Sequence, residues 1–203
     1  MTTKFDESIK YVDGVAGLVD VIGKRWSPRA FADKAVSSEQ LKKLFTAASW
    51  AASSFNEQPW RFIVGVKGTP TWDKILKSLM PVNQSWATNA PVLYASFAKK
   101  TFSHNGSGNK VAQHDVGAAS ATLALQAAAM DLHVHGMAGF DGDVLRAEFQ
   151  IPDDFEPVAC WALGHLGDPD KLNEQQRNME ISKRTRKELK DFVFSAWDKP
   201  AQF

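Results

Sequence analysis

Three short segments of the sequence concentrate side chains that can bind an anion or hydrogen-bond a ligand. They are residues 25–31, 53–60 and 183–187, rich in arginine or in serine, asparagine and glutamine. Planar guanidinium groups bind phosphate oxygens through paired donors. Basic residues are nevertheless usually exposed to solvent, and serine pairs usually form turns or helix caps. Each segment alone therefore leaves open whether it binds a ligand or forms ordinary surface.

The elements that must position these segments can be predicted from caps and hydrophobic spacing. Ser37 with Gln40 forms a capping box before a half-buried helix that reaches Ala48. Short apolar or β-branched runs predict strands, and helical spacing between breakers predicts further helices. The strands are expected at 61–66, 92–98 and 157–163, with the last a candidate for a central strand, and the helices at 71–79, 111–132 and 141–150. Because no regular βαβ repeat emerges, we expect an α+β domain in three layers.

Composition narrows the class of protein. A chain of 203 residues with 44% hydrophobic and 23% charged residues is expected to fold as a single domain, residues 1–203. A formal net charge of +1 gives no general attraction to nucleic acid or to an acidic membrane. The run 116–130 is too short and polar for a membrane span, and the N-terminus lacks a secretion signal, so we expect a cytoplasmic protein. Cys160 is the only cysteine of the sequence, which excludes a disulfide within the chain, and its apolar run predicts a place in the core.

Taken together, the three segments resemble the nitroreductase family of FMN-dependent NAD(P)H oxidoreductases, in the same order and at comparable separations. The family motif Arg-x-Ser-x-Arg/Lys-x-Phe is matched by Arg25, Ser27, Arg29 and Phe31. The motif Pro-Ser-Ser-x-Asn-x-Gln-Pro-Trp is matched by 53–60, although Ala52 replaces the proline. The similarity runs from about residue 24 to 189 and includes Asn83, Ala90-Pro91, the Ala-rich helix after Asp115, and 136–140.

This resemblance implies an architecture. The family fold is a three-layer α-β-α arrangement with a mainly antiparallel central sheet, built as a domain-swapped homodimer. Residues 1–23 are expected to form an N-terminal helical extension. Residues 181–203 are expected to form a basic segment and a tail that reaches the partner.

The resemblance also implies a flavin site. Arg25, Arg184 and Arg186 are expected to clamp the FMN phosphate, with Ser27 adding a hydroxyl donor. Arg29 is expected near the pyrimidine edge of the flavin, where a cation favours the reduced anion, so it is a tuner rather than a catalytic acid. The remaining expected contacts with the cofactor are Trp26, Ser53, Ser54, Phe55, Asn56, Gln58, Asn83, Met137, Ala138 and Gly139.

The implied activity is ping-pong hydride transfer from NADPH or NADH to a nitroaromatic or quinone, without a metal. Relatives that act on activated alkenes, aldehydes or halogenated phenols keep the acceptor open. Two other classes also remain: a flavin carrier or sensor without turnover, and a basic amphipathic helix at 183–190 that binds nucleic acid or a membrane surface. Of the aromatic residues, Trp60 and Trp161 are expected in the core, a ligand contact at Trp86 is doubtful, and His104 is more often a surface residue than a substrate contact.

Overall fold

The computed structural model describes residues 5–11 and 17–202, and its centre is an antiparallel sheet. The sheet order is β1-β2-β4-β3, so β2 and β4 are inner strands. Its strands are β1 (Trp60–Val66), β2 (Val92–Lys99), β3 (His133–Met137) and β4 (Phe155–Gly164). The three predicted strands are confirmed, including the central position of β4. Strand β3 was not predicted.

Helices cover both faces of the sheet. They are α1 (Asp20–Lys24), α2 (Ser38–Ser49), α3 (Pro70–Ser78), α4 (Pro81–Ala87), α5 (Ala112–Ala129), α6 (Gly142–Phe149) and α7 (Glu174–Ile181). The capping box that opens α2 is present, and Asp141 caps α6 as expected. Helices α2, α3, α5 and α6 are therefore confirmed, whereas α4 and α7 were not predicted.

Two hydrophobic cores make the fold three-layered, as predicted. On one face of the sheet Leu44 of α2 and Leu123 of α5 pack around Tyr94. On the other face Ile75 of α3 and Leu145 of α6 pack around further buried residues of β2 and β4. Both Trp60 and Trp161 lie in or against the first core, as expected, and Trp161 stacks on Tyr94 with 5.7 Å between ring centroids.

The second core contains Cys160, which is fully buried, as expected. Burial raises the pKa of its thiol to about 12, so the thiol stays protonated. In the part of the chain that is described, no helix combines the length and hydropathy needed to cross a membrane.

Both ends of the chain depart from regular helix. The predicted N-terminal extension contains a 3₁₀ turn, Glu7–Lys10, and the start of α1, while residues 1–4 and 12–16 lie outside the described residues. The basic amphipathic helix considered for 183–190 is wrong, because this stretch is irregular apart from a 3₁₀ turn at Leu189–Asp191. The chain ends in a small hairpin of β5 (Phe194–Ala196) and β6 (Lys199–Pro200).

The C-terminal tail exposes large apolar side chains. Leu189 and Phe192 are exposed, and Trp197 is 88% exposed. The chain exposes 12045 Å², whereas a folded monomer of 22.4 kDa is expected to expose about 9,400 Å². The uncovered apolar residues of the tail contribute to this exposed surface.

Candidate functional site

Arginines from the two ends of the chain meet beside α1. Arg184 donates a hydrogen bond through Nη1 to the carbonyl of Arg25 at 2.6 Å and another to the carbonyl of Gly23. Burial lowers the pKa of Arg25, and the positive charge of Arg186 lowers it further. Burial lowers the pKa of Arg184 too, with Arg186 and Arg25 adding to the effect. We call these three arginines the arginine cluster.

No carboxylate neutralises this cluster among residues 5–11 and 17–202, since none of their ion pairs includes Arg25, Arg184 or Arg186. Nε of Arg184 is buried and has no hydrogen-bond partner within those ranges. Nη1 of Arg25 donates to Oγ of Ser27 at 3.3 Å, which leaves the serine hydroxyl proton free to donate. Converging cations with free donors form a site suited to a multiply charged anion.

A buried carboxylate that sequence reasoning missed holds the backbone next to the arginine cluster. The Glu180 side chain accepts hydrogen bonds from N of Arg29 at 2.9 and 3.0 Å and from N of Ala30 at 2.9 Å. Burial raises the pKa of Glu180, while these bonds and the charges of Arg29 and Lys10 oppose the rise. Because Glu180 lies in a polar helix and bonds to backbone groups, no sequence pattern indicates its role.

The same segment is fixed from the sheet side by His135. Its Nδ1 donates to the carbonyl of Pro28 at 2.9 Å, and its ring packs on Trp86 with 4.5 Å between centroids. Burial lowers the pKa of His135 to about 4, so the imidazole is neutral at ordinary pH. Trp86 also stacks on Phe31 and is buried, so it is a core residue here.

The N-terminal segment contacts residues 26–30 from a third side. Glu7 accepts a hydrogen bond at 2.8 Å from Nε1 of Trp26, which is 4% exposed. His133 lies 3.2 Å from the same oxygen through Nε2. Its Nδ1 is buried without a partner among the described residues. Residues 26–30 are thus held by side chains from the N-terminal segment, β3 and α7.

A second group of predicted residues meets at the end of β3. Nδ2 of Asn83 donates to the carbonyl of Gly139 at 3.0 Å, and N of Met80 donates to the same oxygen at 3.0 Å. A Cβ at Gly139 would lie 2.8 Å from Nδ2 of Asn83, so only glycine fits without a shift. Met137 is buried, Ala138 is exposed, and β3 connects this group through His135 to Pro28, in the segment beside the arginine cluster.

The loop 53–58 has a different character. Phe55, Asn56 and Gln58 adopt left-handed backbone with φ of 52°, 54° and 51°. This conformation costs about 1 kcal/mol or more for a residue such as phenylalanine or glutamine, whereas asparagine adopts it more readily. Oγ of Ser53 accepts from N of Gln58 at 3.0 Å, and N of Ser54 donates to Asp115 at 3.0 Å. The loop therefore holds a strained shape with its own hydrogen bonds.

Exposed aromatic rings continue from this loop. Phe55 is 83% exposed and packs against Phe102 and His104, with 5.7 Å between ring centroids in each pair. His104 thus lies in an aromatic group at the surface. Over the described ranges, no hydrogen bond or ring contact joins the loop 53–58 to the arginine cluster or to 137–139. Two of the three predicted groups of site residues are therefore connected within one chain, and the third stands apart.

Comparison with known proteins identifies the family. The family model described as "Nitroreductase family" matches residues 22–81 and 66–165, which together cover most of the chain. The chain belongs to the nitroreductase family. A solved structure described as an oxidoreductase containing FMN is similar to this family member with a TM-score of 0.85 and 34% identity, covering 96% of this chain and 97% of the other.

Two curated relatives add to the comparison. An uncharacterized 15.4 kDa protein of Mycolicibacterium smegmatis is 33% identical over 151 residues, which are 69% of this nitroreductase-family chain and 99% of the relative. A protein of Archaeoglobus fulgidus, provisionally named as an NADH dehydrogenase/NAD(P)H nitroreductase, is 46% identical over 44 residues, 22% of this chain and 25% of the relative. The predicted family and α+β fold are confirmed, whereas the roles of individual site residues remain predictions.

Proposed function

We propose that the chain binds FMN and transfers electrons from NADPH or NADH to a small organic acceptor, working as a homodimer. The observation that carries the proposal is the convergence of Arg25, Arg184 and Arg186, with a free buried donor and no carboxylate among the described residues. The FMN phosphate carries nearly two negative charges and is a chemical match for this cluster. The relative that contains FMN and the relative named for NAD(P)H support the same class of reaction.

The other predicted residues fit the remaining parts of FMN. Asn83 can offer an amide to the polar edge of the ring, and the backbone of 137–139 can face the ring because Gly139 permits close approach. Ser27 can donate its free hydroxyl proton to the phosphate. When bound, FMN supplies the hydride chemistry, which no amino acid side chain provides.

Arg29 is proposed to tune the electron transfer. Its backbone is fixed by Glu180, so its guanidinium starts from a defined position. A fixed cation beside the pyrimidine edge stabilises the negative charge that develops there on reduction. The protein then needs no catalytic acid of its own, and its tasks are to hold the ring, to orient the nicotinamide and acceptor in turn, and to exclude water.

A second copy of the chain is proposed to complete the pocket. The strained loop 53–58 and the exposed Phe55 have no contact with the arginine cluster of their own chain among the described residues. The exposed apolar residues of the tail, Phe192 and Trp197, offer surface for a partner. In this arrangement Ser53, Ser54, Asn56 and Gln58 line the flavin of the partner, and each flavin has walls from both copies.

The acceptor classes proposed are nitroaromatics and quinones, with activated alkenes, aldehydes and halogenated phenols as further candidates. The test is anaerobic titration of the purified protein with NADPH and with NADH. We expect a yellow protein with the two absorption bands of oxidised flavin, which bleach on titration and return when an acceptor from these classes is added. A flavin that remains oxidised under both nicotinamides contradicts the enzyme and supports a carrier or sensor.

A further inference from the structure

A buried acid and a buried base lie behind the arginine cluster, and neither belongs to the predicted site. Glu180 is 1% exposed and Lys10 is 3% exposed. We propose that Glu180 is a positioning residue for the anion site, acting through the backbone of Arg29 and Ala30, and that Lys10 braces it. The inference rests on the proposed function, because the anion it concerns is the FMN phosphate.

The position of Glu180 in the chain supports this role. Helix α7 ends at Ile181, and Arg184 follows three residues later. Glu180 is bonded to the amides of Arg29 and Ala30, and Arg184 is bonded to the carbonyl of Arg25. The segment that contains Arg25 and Arg29 and the segment that contains Glu180 and Arg184 are therefore joined by hydrogen bonds at two places. Charge-assisted bonds from a carboxylate to amides are among the stronger hydrogen bonds, so the spacing of the guanidinium groups is set before a ligand arrives.

Lys10 joins the N-terminal segment to the same cross-link. Its Nζ donates to the carbonyl of Met179 at 3.2 Å and to the carbonyl of Ser182, where α7 ends. A cation is favourable at the carboxyl end of a helix. The same Nζ lies 4.9 Å from the ring centroid of Trp26. Lys10 thus contacts both sides of the structure that Glu180 links.

The sign of the expected effect separates positioning from simple electrostatics. The negative charge of Glu180 repels a phosphate, so removing that charge alone would tighten the binding of FMN. Loss of the cross-link instead leaves two amides without acceptors and releases the segment that carries Arg25 and Arg29. The positioning role therefore predicts weaker binding of the phosphate-bearing ligand when Glu180 is replaced.

The experiment measures the dissociation constants of FMN and of riboflavin for the full-length protein after removal of its flavin. Riboflavin has the same ring without the phosphate, so the ratio of the two constants isolates the anion site. We expect Glu180→Ala to reduce the preference for FMN on the order of tenfold. Glu174→Ala, which removes an exposed carboxylate from the same helix, is expected to leave the preference unchanged. An unchanged or increased preference in Glu180→Ala overturns the proposal.

Two further variants keep the test decisive if Glu180→Ala does not fold. Glu180→Gln retains one acceptor oxygen, and we expect a smaller reduction of about threefold. Lys10→Met is expected to give a reduction of similar size, whereas Lys42→Met, an exposed lysine on α2, is expected to give none. A wild-type protein without preference for FMN would overturn the phosphate site and this inference with it. A wild-type preference that Glu180→Gln and Lys10→Met leave intact overturns this inference alone.

Discussion

The arginine cluster and the loop 53–58 are two halves of one predicted site, and they are built in opposite ways. The segment beside the cluster is tied by Glu7 at Trp26, by His135 at Pro28 and by Glu180 at Arg29 and Ala30. The loop has three left-handed residues, and one of them, Phe55, is 83% exposed. The segment beside the cluster is braced by contacts within a single chain, whereas the loop is strained and exposes Phe55.

This difference indicates that the arginine cluster and the loop 53–58 have different roles. A binding site for a charged group benefits from donors whose spacing is fixed, because ordering them on binding would cost affinity. A loop that contributes to the site of a second copy needs a defined shape but few contacts with its own chain. Backbone strain of this kind persists where the surrounding structure determines it and is common at functional sites. We therefore treat the cluster as preformed and the loop as the part completed by the partner.

The largest effect is expected when the exposed apolar side chains of the tail are replaced. In the double variant Phe192→Asp with Trp197→Asp, charges replace two exposed aromatic residues. We expect the dimer dissociation constant to rise by roughly a hundredfold or more, because aromatic anchors dominate interface energies. The sedimentation coefficient and the turnover should fall together, since the proposed pocket needs a wall from the partner.

Trp50, the residue that follows α2, provides the matched control, since it is an exposed aromatic residue outside the tail, with 83% exposure. Trp50→Asp is expected to keep both the dimer and the turnover. A tail variant that is monomeric but fully active would show that one chain supplies the whole site, and the two halves would then have to meet within it.

The burial of neutral His135, which braces the segment beside the arginine cluster, should make the stability of the fold depend on pH. The pKa of His135 is about 4 in the folded chain and 6.5 as the ordinary value. The unfolded chain therefore binds the extra proton first, so the stabilisation is complete above pH 6.5 and is lost as the pH falls towards 4. When the pH is lowered from 7 to 4.5, we expect the protonation of His135 to decrease the free energy of unfolding by on the order of 2 to 3 kcal/mol.

The measurement is denaturant unfolding of wild type and His135→Gln at both pH values. Glutamine does not titrate and can still donate to the carbonyl of Pro28, so its pH dependence should be smaller by that amount. Identical pH profiles would mean that His135 is not buried in the neutral form, and one tie of the arginine segment would be lost.

The smallest expected effect concerns the strain in the loop. Phe55→Gly removes a side chain from backbone with φ of 52° and should stabilise the fold by about 1 kcal/mol. Turnover should nevertheless fall if Phe55 lines the partner's flavin as proposed, because the variant lacks that ring. Asp131→Gly, at another residue with φ of 52°, is expected to stabilise similarly without loss of turnover. Equal activities in the two glycine variants would remove the functional role of Phe55.

Much of the fold was predictable because local signals agree with the tertiary structure. Helices α2 and α6 carry their N-caps in the sequence, and the strands β1, β2 and β4 have apolar or β-branched runs. Strand β3 was missed because His133–Met137 alternates histidines with small and apolar residues. Its strand conformation depends on pairing with β4, where Gly136 leaves room for the ring of Trp161.

The contacts of the candidate site likewise fall into those that were predicted and those that were not. The meeting of Arg25 with Arg184 was predicted from a family resemblance rather than from spacing, since 159 positions separate them. Asn83 and Gly139 were expected from the same resemblance only as separate contacts with the flavin, so the hydrogen bond between them was not predicted. The role of Glu180 was not predicted, because its partners are backbone amides that every sequence possesses. Lys10 was missed for the same reason, as it binds carbonyls at the end of α7.

The central claim is that the arginine cluster binds the phosphate of FMN, and the most direct test compares FMN with riboflavin. Arg25→Ala and Arg186→Ala are each expected to raise the dissociation constant of FMN by roughly tenfold or more, because each removes a charge-assisted contact. The constant for riboflavin should stay within about threefold, and Lys187→Ala beside the cluster should change neither. Equal weakening of FMN and riboflavin in the arginine variants would contradict the account.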